Sequence, residues 1–90
     1  MNKAIITVVG KDQVGIIAKV CTYLAENSIN ILDISQTIVS GYFNMMMVVD
    51  TAGTKKEFGS VSSDLERLGS EISVIIKAQR EDIFDMMHRI

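Results

Sequence analysis

Two glycines near the start of the chain frame a loop whose spacing is typical of phosphate binding. The stretch VVGKDQVGII places Gly10 and Gly15 on either side of four residues. A phosphate-binding loop also needs a lysine after the second glycine to reach the phosphates, and then a serine or threonine to hold magnesium. This chain has Ile16 and Ile17 at those positions. The glycine spacing therefore does not predict nucleotide hydrolysis.

The same loop has a second possible use at the start of a helix. Asp12 is the expected N-cap of a helix over Val14–Glu26, which would make Gly15 the third helical residue. The first backbone N–H groups of a helix lack partners within it and carry partial positive charge, so they attract a carboxylate as well as a phosphate. Together with the Asp12 carboxylate, they complement an amino acid. Asp12 as a plain cap, and glycines that only end a strand or help a helix to pack, remain the alternatives.

The other reactive residue types predict no second site. Cys21 and His88 stand alone, without the spacing of metal ligands, so we expect neither a metal nor a cofactor. Cys21 is expected to pack on the core face of the first helix, and His88 to lie on the surface near the end of the last one. Glu81 and Asp82 fit the first turn of a helix better than an acid–base pair.

The totals describe one small acidic domain. The chain has 90 residues, a formal net charge of −2 and 48% apolar residues. This charge argues against nucleic acid as a partner, and no apolar run is long enough to span a membrane. The single cysteine favours a reducing cytoplasm. The apolar content exceeds what one small core can hide, which indicates self-association.

Hydrophobic periodicity predicts the elements that position the loop. Strands are expected over Lys3–Gly10, Asn30–Val39, Tyr42–Asp50 and Glu71–Ala78, and helices over Val14–Glu26, Thr54–Gly69 and Arg80–Ile90. Thr54 and Glu57 form an expected capping box, Gly69 an expected helix end, and Ser40 with Gly41 a hairpin turn. The order β-α-β-β-α-β predicts an α+β, ferredoxin-like sandwich: a four-stranded antiparallel sheet with two helices on one face, plus a C-terminal helix. We expect residues 1–79 to form one domain and residues 80–90 a helical extension of it.

The third strand is expected to be apolar on both sides. Met45 and Met47 alternate with Met46 and Val48 along it. An antiparallel sheet with one face in water should alternate cleanly between apolar and polar residues. We therefore expect the second sheet face to be covered by the terminal helix, by a second subunit, or by both.

The stretch GKDQVGIIAKVCTYLAENSINILDISQ, residues 10–36, resembles the first half of an ACT domain. The matching parts are Asp12, Gly15–Ile16, Leu24–Ala25 and Ile29–Ser35, and the element order agrees over residues 3–78. The tail FDMMHRI looks like that of small, stand-alone bacterial ACT-domain proteins. The chain is also similar to the ACT parts of the glycine-cleavage repressor and of formyltetrahydrofolate deformylase. The resemblance implies a regulatory, amino-acid-binding module and not an enzyme.

In that family the ligand commonly lies at a dimer interface, and the resemblance implies the residues that would contact it. They are Asp12, Gln13, Val14, Gly15 and Ile16 in the first loop–helix turn, and Asn30 and Ile31 at the start of the second strand. N–H groups near Gly15 would receive the ligand carboxylate, and Asp12 or Asn30 its amino group. Ile16 is expected to line an interface while Ile17 faces the core. We thus expect a cytoplasmic homodimer or higher homo-oligomer that senses an amino acid or related metabolite and acts on a separate enzyme or regulator.

Two alternatives keep the fold and change the function. A ligand-free interaction module would use the exposed sheet or the tail helix as its docking surface. An acylphosphatase-like enzyme shares the element order but needs an arginine in the first loop, where Lys11 is a poor substitute for bidentate phosphate binding. The arrangement of the two chains, with sheets side by side or face to face, stays open, as does whether the tail helix packs on its own chain or on a partner.

Overall fold

In a computed structural model, which describes residues 2–82, the chain forms a four-stranded antiparallel sheet and two helices. The elements in chain order are β1 (Lys3–Lys11), α1 (Ile16–Glu26), β2 (Asn30–Val39), β3 (Tyr42–Asp50), α2 (Phe58–Glu71) and β4 (Val74–Arg80). The strand order across the sheet is β2-β3-β1-β4, so β1 and β3 are central and β2 and β4 are the edges. The predicted βαββαβ fold class is confirmed.

The hairpin of β2 and β3 has the bounds and the turn that the sequence predicts. Ser40 and Gly41 join the strands with φ values of 51° and 81°. Two left-handed residues in a two-residue turn match the right-handed twist of the flanking strands. The Gly41 carbonyl also accepts a hydrogen bond from the Asp12 N–H at 2.9 Å. The hairpin turn therefore holds the start of the loop that follows β1.

The core lies between one sheet face and the two helices. The strands contribute alternate residues and each helix contributes one side, and the buried set includes Ala4, Ile6, Val8, Val20, Leu24, Phe43, Met45, Met47, Val49, Val61, Leu65, Val74 and Ile76. Met45 and Met47 fill this core, while Met46 between them points to the opposite sheet face and is 43% exposed. We call the sheet face without helices the outer face.

The second helix begins later than predicted, and its capping box is wrong. Glu57 is the N-cap of α2 and makes no capping hydrogen bond with its side chain. The Thr54 hydroxyl instead accepts a hydrogen bond from the Lys56 N–H at 3.3 Å. A threonine that bonds its own turn in this way competes with a helix start.

Gly69 does not end the second helix, contrary to the prediction. The helix continues to Glu71, and Gly69 is buried within it. A Cβ at position 69 would lie 2.6 Å from the backbone carbonyl oxygen of Val74 and 3.1 Å from an Ile76 side-chain atom. The glycine thus allows α2 to lie close to β4, which begins at Val74 and not at Glu71.

The predicted C-terminal helix lies largely outside the described residues. Arg80, its expected first residue, is the last residue of β4. His88 and the predicted packing of the tail also lie outside the described residues. Within residues 2–82, no helix is long and apolar enough to cross a membrane.

Candidate functional site

Gly15 forms the start of α1 with a backbone conformation that favours glycine. It is the N-cap, with φ 93° and ψ 0°, and its carbonyl accepts the first helical hydrogen bond from the Lys19 N–H at 3.0 Å. The N–H groups of residues 16–18 precede that bond and have no helical partner. No side chain caps this helix end, and a Cβ on Gly15 would meet no atom within 4 Å. The first turn of α1 is therefore an open, electropositive surface.

Asp12 is not the N-cap, so this prediction is wrong. Its backbone N–H is held by Gly41, three residues before the helix starts, while its side chain is exposed. Within residues 2–82, the Asp12 carboxylate has no hydrogen-bond or ion-pair partner. The carboxylate therefore remains available beside the open helix start.

Gln13 and Val14, the next two predicted ligand residues, differ in their surroundings. The Gln13 Nε2 donates a hydrogen bond to the Ile72 carbonyl at 2.6 Å, and Ile72 is the C-cap of α2. This bond connects the loop to the end of the second helix, so the Gln13 amide has a structural partner. The Val14 side chain is fully exposed.

Ile16 lies in the core and not at an interface, contrary to the expectation. It is 2% exposed and shares the core side of α1 with Val20 and Leu24, at a spacing of four residues. Ile17, which was expected to face the core, is only partly buried. The buried row of α1 is thus centred on Ile16, Val20 and Leu24, with Ile17 and Cys21 beside it at the margin of the core.

Asn30 and Ile31 lie at the other end of the sheet from the loop. Asn30 pairs with Asp50, which in turn pairs with Lys3 at the start of β1. The loop follows Lys11 at the end of β1, and eight residue steps along the strand amount to about 26 Å. A single chain therefore does not bring the two groups of predicted ligand residues together.

The strand that carries Asn30 and Ile31 is an edge strand with an exposed apolar side. Ile34 pairs with Met47 and Ile38 pairs with Phe43, so both isoleucines lie on the helix side of the sheet. They are nevertheless 43% and 58% exposed. A register shift between Ile31 and Asp33 interrupts the ladder near the start of β2. Exposed edge strands present unpaired backbone groups to another chain.

The structure also shows a polar cluster on the helices that sequence reasoning missed. Asp64 accepts a hydrogen bond from the Tyr23 hydroxyl at 2.6 Å and forms ion pairs with Lys56 at 2.7 Å and Arg67 at 3.3 Å. The cluster lines a groove of about 500 Å³ between α1 and α2. Tyr23 and Asp64 are 41 residues apart in the sequence, so no local sequence motif predicts their contact. The four side chains satisfy one another, and the cluster connects the two helices.

Two pKa values in this cluster depart from their ordinary ranges. Hydrogen bonds from Lys56 and Tyr23 hold the pKa of Asp64 below its usual range, with the charges of Lys56 and Arg67 acting in the same direction. Burial raises the pKa of Tyr23, and the hydrogen bond to Asp64 and the Asp64 charge raise it further. The Lys56 ammonium also lies 5.6 Å from the centre of the Tyr23 ring, within cation–π range.

No metal-binding cluster is found in the described part of the chain. Among residues 2–82, no three His, Cys, Asp or Glu side chains lie close enough together to hold an ion. Cys21 is a free, half-buried thiol that packs against the core.

Comparison with known proteins gives the family of this chain. A profile of the ACT domain family matches residues 2–79. A UPF0237 protein of Bifidobacterium longum is 64% identical over the full length of both chains. A UPF0237 protein of Methanocaldococcus jannaschii is 46% identical, also over the full length of both chains, so the relatives are archaeal as well as bacterial.

Solved structures give the same fold. An ACT domain protein from Streptococcus pneumoniae is 45% identical, with a TM-score of 0.82 over 93% of this chain and 94% of that one. The structure of a putative glycine cleavage system transcriptional repressor is 25% identical, with a TM-score of 0.77, and 88% of this chain covers 45% of its length. A formyltetrahydrofolate deformylase from Pseudomonas syringae has a TM-score of 0.82 at 22% identity, and 89% of this chain spans 28% of it. The resemblance to these proteins is confirmed.

Proposed function

This chain belongs to the ACT domain family, and on that premise we propose that it binds an amino acid between two copies of itself and thereby regulates a separate protein. Domains of this family are generally regulatory and ligand-binding. The single cysteine fits a reducing compartment, so we place the protein in the cytoplasm.

The open start of α1 beside a carboxylate carries the proposal. Backbone N–H groups of residues 16–18 lack a helical or side-chain partner next to the open space at Gly15, and such groups suit the carboxylate of an amino acid. The exposed Asp12 carboxylate, three residues away along the chain, suits its ammonium group. A free amino acid carries both charges a short distance apart. This arrangement therefore favours a small zwitterion over a phosphate.

An interface between two copies supplies the second half of the site. Within one chain, Asn30 and Ile31 are separated from the loop by eight residue steps of β1, or about 26 Å at the usual rise of a strand. Antiparallel pairing of β2 with the β2 of a second copy reverses the strand direction across the interface. It therefore brings the start of the partner's β2 to the end of the sheet that holds Asp12 and Gly15.

The exposed side chains of β2 favour one register for this pairing. A two-fold axis at Gln36 places Ile34 opposite the partner's Ile38, and by symmetry Ile38 opposite the partner's Ile34. Both isoleucines are exposed on the helix side of a single chain, so the pairing buries them. On the outer face, the same register places Ser35 opposite the partner's Thr37, a pair that forms hydrogen bonds across strands. In this register the partner's Ile31 is level with the Ser40–Gly41 turn, whose Gly41 holds the Asp12 N–H.

A thermal unfolding screen tests the proposal. We expect at least one of the twenty common amino acids, at millimolar concentration, to raise the Tm. A ligand at ten times its Kd stabilises the folded state by about 1.4 kcal/mol, which raises the Tm of a domain this small by roughly 5–10 °C. Gly15→Asp should abolish the increase, because it places a negative charge where the ligand carboxylate binds.

Gly15→Asn is the matched control for that variant. Asparagine and aspartate have the same size and both tolerate the left-handed backbone of Gly15, so they differ in charge alone. The asparagine variant should keep a substantial part of the Tm increase. A wild-type protein whose Tm does not respond to any amino acid, or two variants with equal increases, would contradict the proposal.

A further inference from the structure

The outer face of the sheet exposes more large apolar side chains than is usual for a sheet face in contact with water. Its large exposed apolar side chains are Val9, Val39, Tyr42, Met46 and Ile75, which are 43–64% exposed. They come from all four strands, and neither described helix covers them. A sheet with one face in water normally alternates between apolar and polar residues, and contiguous exposed apolar side chains mark an interaction surface.

We propose that the outer faces of two copies stack on each other, related by a two-fold axis parallel to the strands, so that Lys77 of each copy faces Asp33 of the other. This contact is separate from the edge pairing of β2. It uses side chains of the outer face, whereas edge pairing uses the free backbone groups of β2 and the isoleucines on its helix side.

The outer face is large enough for a stable contact between copies. Four strands at a spacing of about 4.8 Å make it about 19 Å wide, and nine residues make it about 30 Å long. Stacking would cover about 570 Å² on each copy, or about 1,100 Å² in all, which exceeds the roughly 1,000 Å² that specific interfaces need. The two stacked sheets would pack as in a β-sandwich, with side chains of both faces forming the middle layer.

Two charged side chains, Lys77 and Asp33, favour one orientation of the two stacked sheets over the other. Lys77 is on edge strand β4, in the row that crosses Thr7, Met46 and Ser35. Asp33 is on the opposite edge strand, β2, one row nearer the start of β1. Both face outward on the outer face, and within residues 2–82 neither has an ion-pair partner.

Rotation about an axis parallel to the strands lays β4 of one copy over β2 of the other. Each Lys77 then lies within reach of the partner's Asp33, and the two-fold axis forms this pair twice. Rotation about an axis across the strands instead lays β4 over the partner's β4 and β2 over the partner's β2, so Lys77 is then a sheet width away from the partner's Asp33. Complementary charges across an interface fix its orientation in this way.

Charge exchange in a background that blocks edge pairing tests the stack. The background is Ile34→Lys with Ile38→Lys, because lysines at the centre of an edge strand prevent strand pairing and both positions are exposed in a single chain. By sedimentation equilibrium we expect the background protein to be a dimer. Adding Lys77→Asp should weaken this dimer at least about tenfold, since two attractive pairs become repulsive.

Adding Asp33→Lys to the Lys77→Asp protein restores opposite charges and should return the dimer to its original strength. Lys55→Asp, an exposed change of the same charge away from the sheet, is the control and should leave the dimer unchanged. A monomeric background protein, an equal effect of Lys77→Asp and Lys55→Asp, or a failure of the exchange to restore the dimer would each overturn the proposal. The amino-acid screen on the wild type tests the proposed function without changing Lys77 or Asp33, so the two proposals can fail separately.

Discussion

Asp64 joins side chains from three separate parts of the chain. Its carboxylate accepts a hydrogen bond from the Tyr23 hydroxyl of α1. It also forms ion pairs with Lys56, in the loop before α2, and with Arg67 of its own helix. The helices otherwise meet through apolar contacts with the core. This cluster is therefore a specific polar contact that helps to fix the position of α1 relative to α2. Because the pKa values of Tyr23 and Asp64 are both shifted, the strength of the contact depends on pH.

We expect Tyr23→Phe to change stability at neutral and alkaline pH. The variant loses a hydrogen bond to a carboxylate, so the free energy of unfolding at pH 7 should fall by about 1 kcal/mol. The folded pKa of Tyr23 is raised above its unfolded value near 10, so the wild type should lose stability as the pH rises above about 10. The variant should lack this alkaline loss. Urea unfolding from pH 7 to pH 11 measures both effects.

Tyr42→Phe provides the control, because Tyr42 is exposed on the outer face and makes no hydrogen bond with its side chain within residues 2–82. Its stability should follow that of the wild type across the same range. Equal alkaline loss in the wild type and in Tyr23→Phe would contradict the assignment. The lowered pKa of Asp64 has the opposite sign: its contribution is present above about pH 4 and is lost as the pH falls through the folded value.

Sequence reasoning predicts a role for Gly15 at a helix start, but it does not predict that Gly15 is the N-cap. Glycine spacing singles out the loop, and the helix begins two residues later than predicted, at Ile16. Which residue caps the helix depends on tertiary bonds, namely Asp12 to Gly41 and Gln13 to Ile72. These partners lie 29 and 59 residues away along the chain, so a local pattern contains no sign of them.

Glycines at close approaches set how tightly the elements fit. Gly69 lies where α2 touches β4, and Gly10 lies where β1 touches Val74, with a hypothetical Cβ at 2.7 Å from a Val74 methyl group. Sequence reasoning assigned Gly69 to the helix end because glycine is common there. The bounds of β2 and β3 were predictable because alternation and a two-residue turn define a hairpin locally, whereas a close approach between α2 and β4 is a property of the assembled fold.

We expect two alanine substitutions in α2 to change stability in opposite directions. Gly69→Ala brings a methyl group against the Val74 carbonyl, so the free energy of unfolding should fall by roughly 2 kcal/mol despite the better helix propensity of alanine. Gly59→Ala has no atom within 4 Å of the new methyl group and should raise the free energy of unfolding by up to about 1 kcal/mol. Urea unfolding of the two variants and of the wild type measures these changes in the free energy of unfolding. A Gly69→Ala protein as stable as the Gly59→Ala protein would refute the close approach.

Two surfaces of the molecule expose groups that are usually covered in a folded protein. They are the free edge of β2 and the apolar outer face of the sheet. Sequence reasoning predicted that the second sheet face needs a cover, because β3 is apolar on both sides. The family resemblance implied two groups of candidate ligand residues, but the sequence did not show that they lie at opposite ends of one chain. That separation is a consequence of the strand order and gives the strongest reason to place the ligand between two copies.

A mixing experiment tests this central claim most directly. The Gly15→Asp chain lacks the loop half of the site, and an Asn30→Ala chain lacks the strand half, so neither should bind the amino acid that stabilises the wild type most. After unfolding and refolding an equal mixture, half of the edge-paired dimers contain one chain of each kind. Each of these has one site with both halves intact, so titration calorimetry should recover about a quarter of the wild-type sites. A mixture that binds no more than the separate variants would contradict a site shared between two copies.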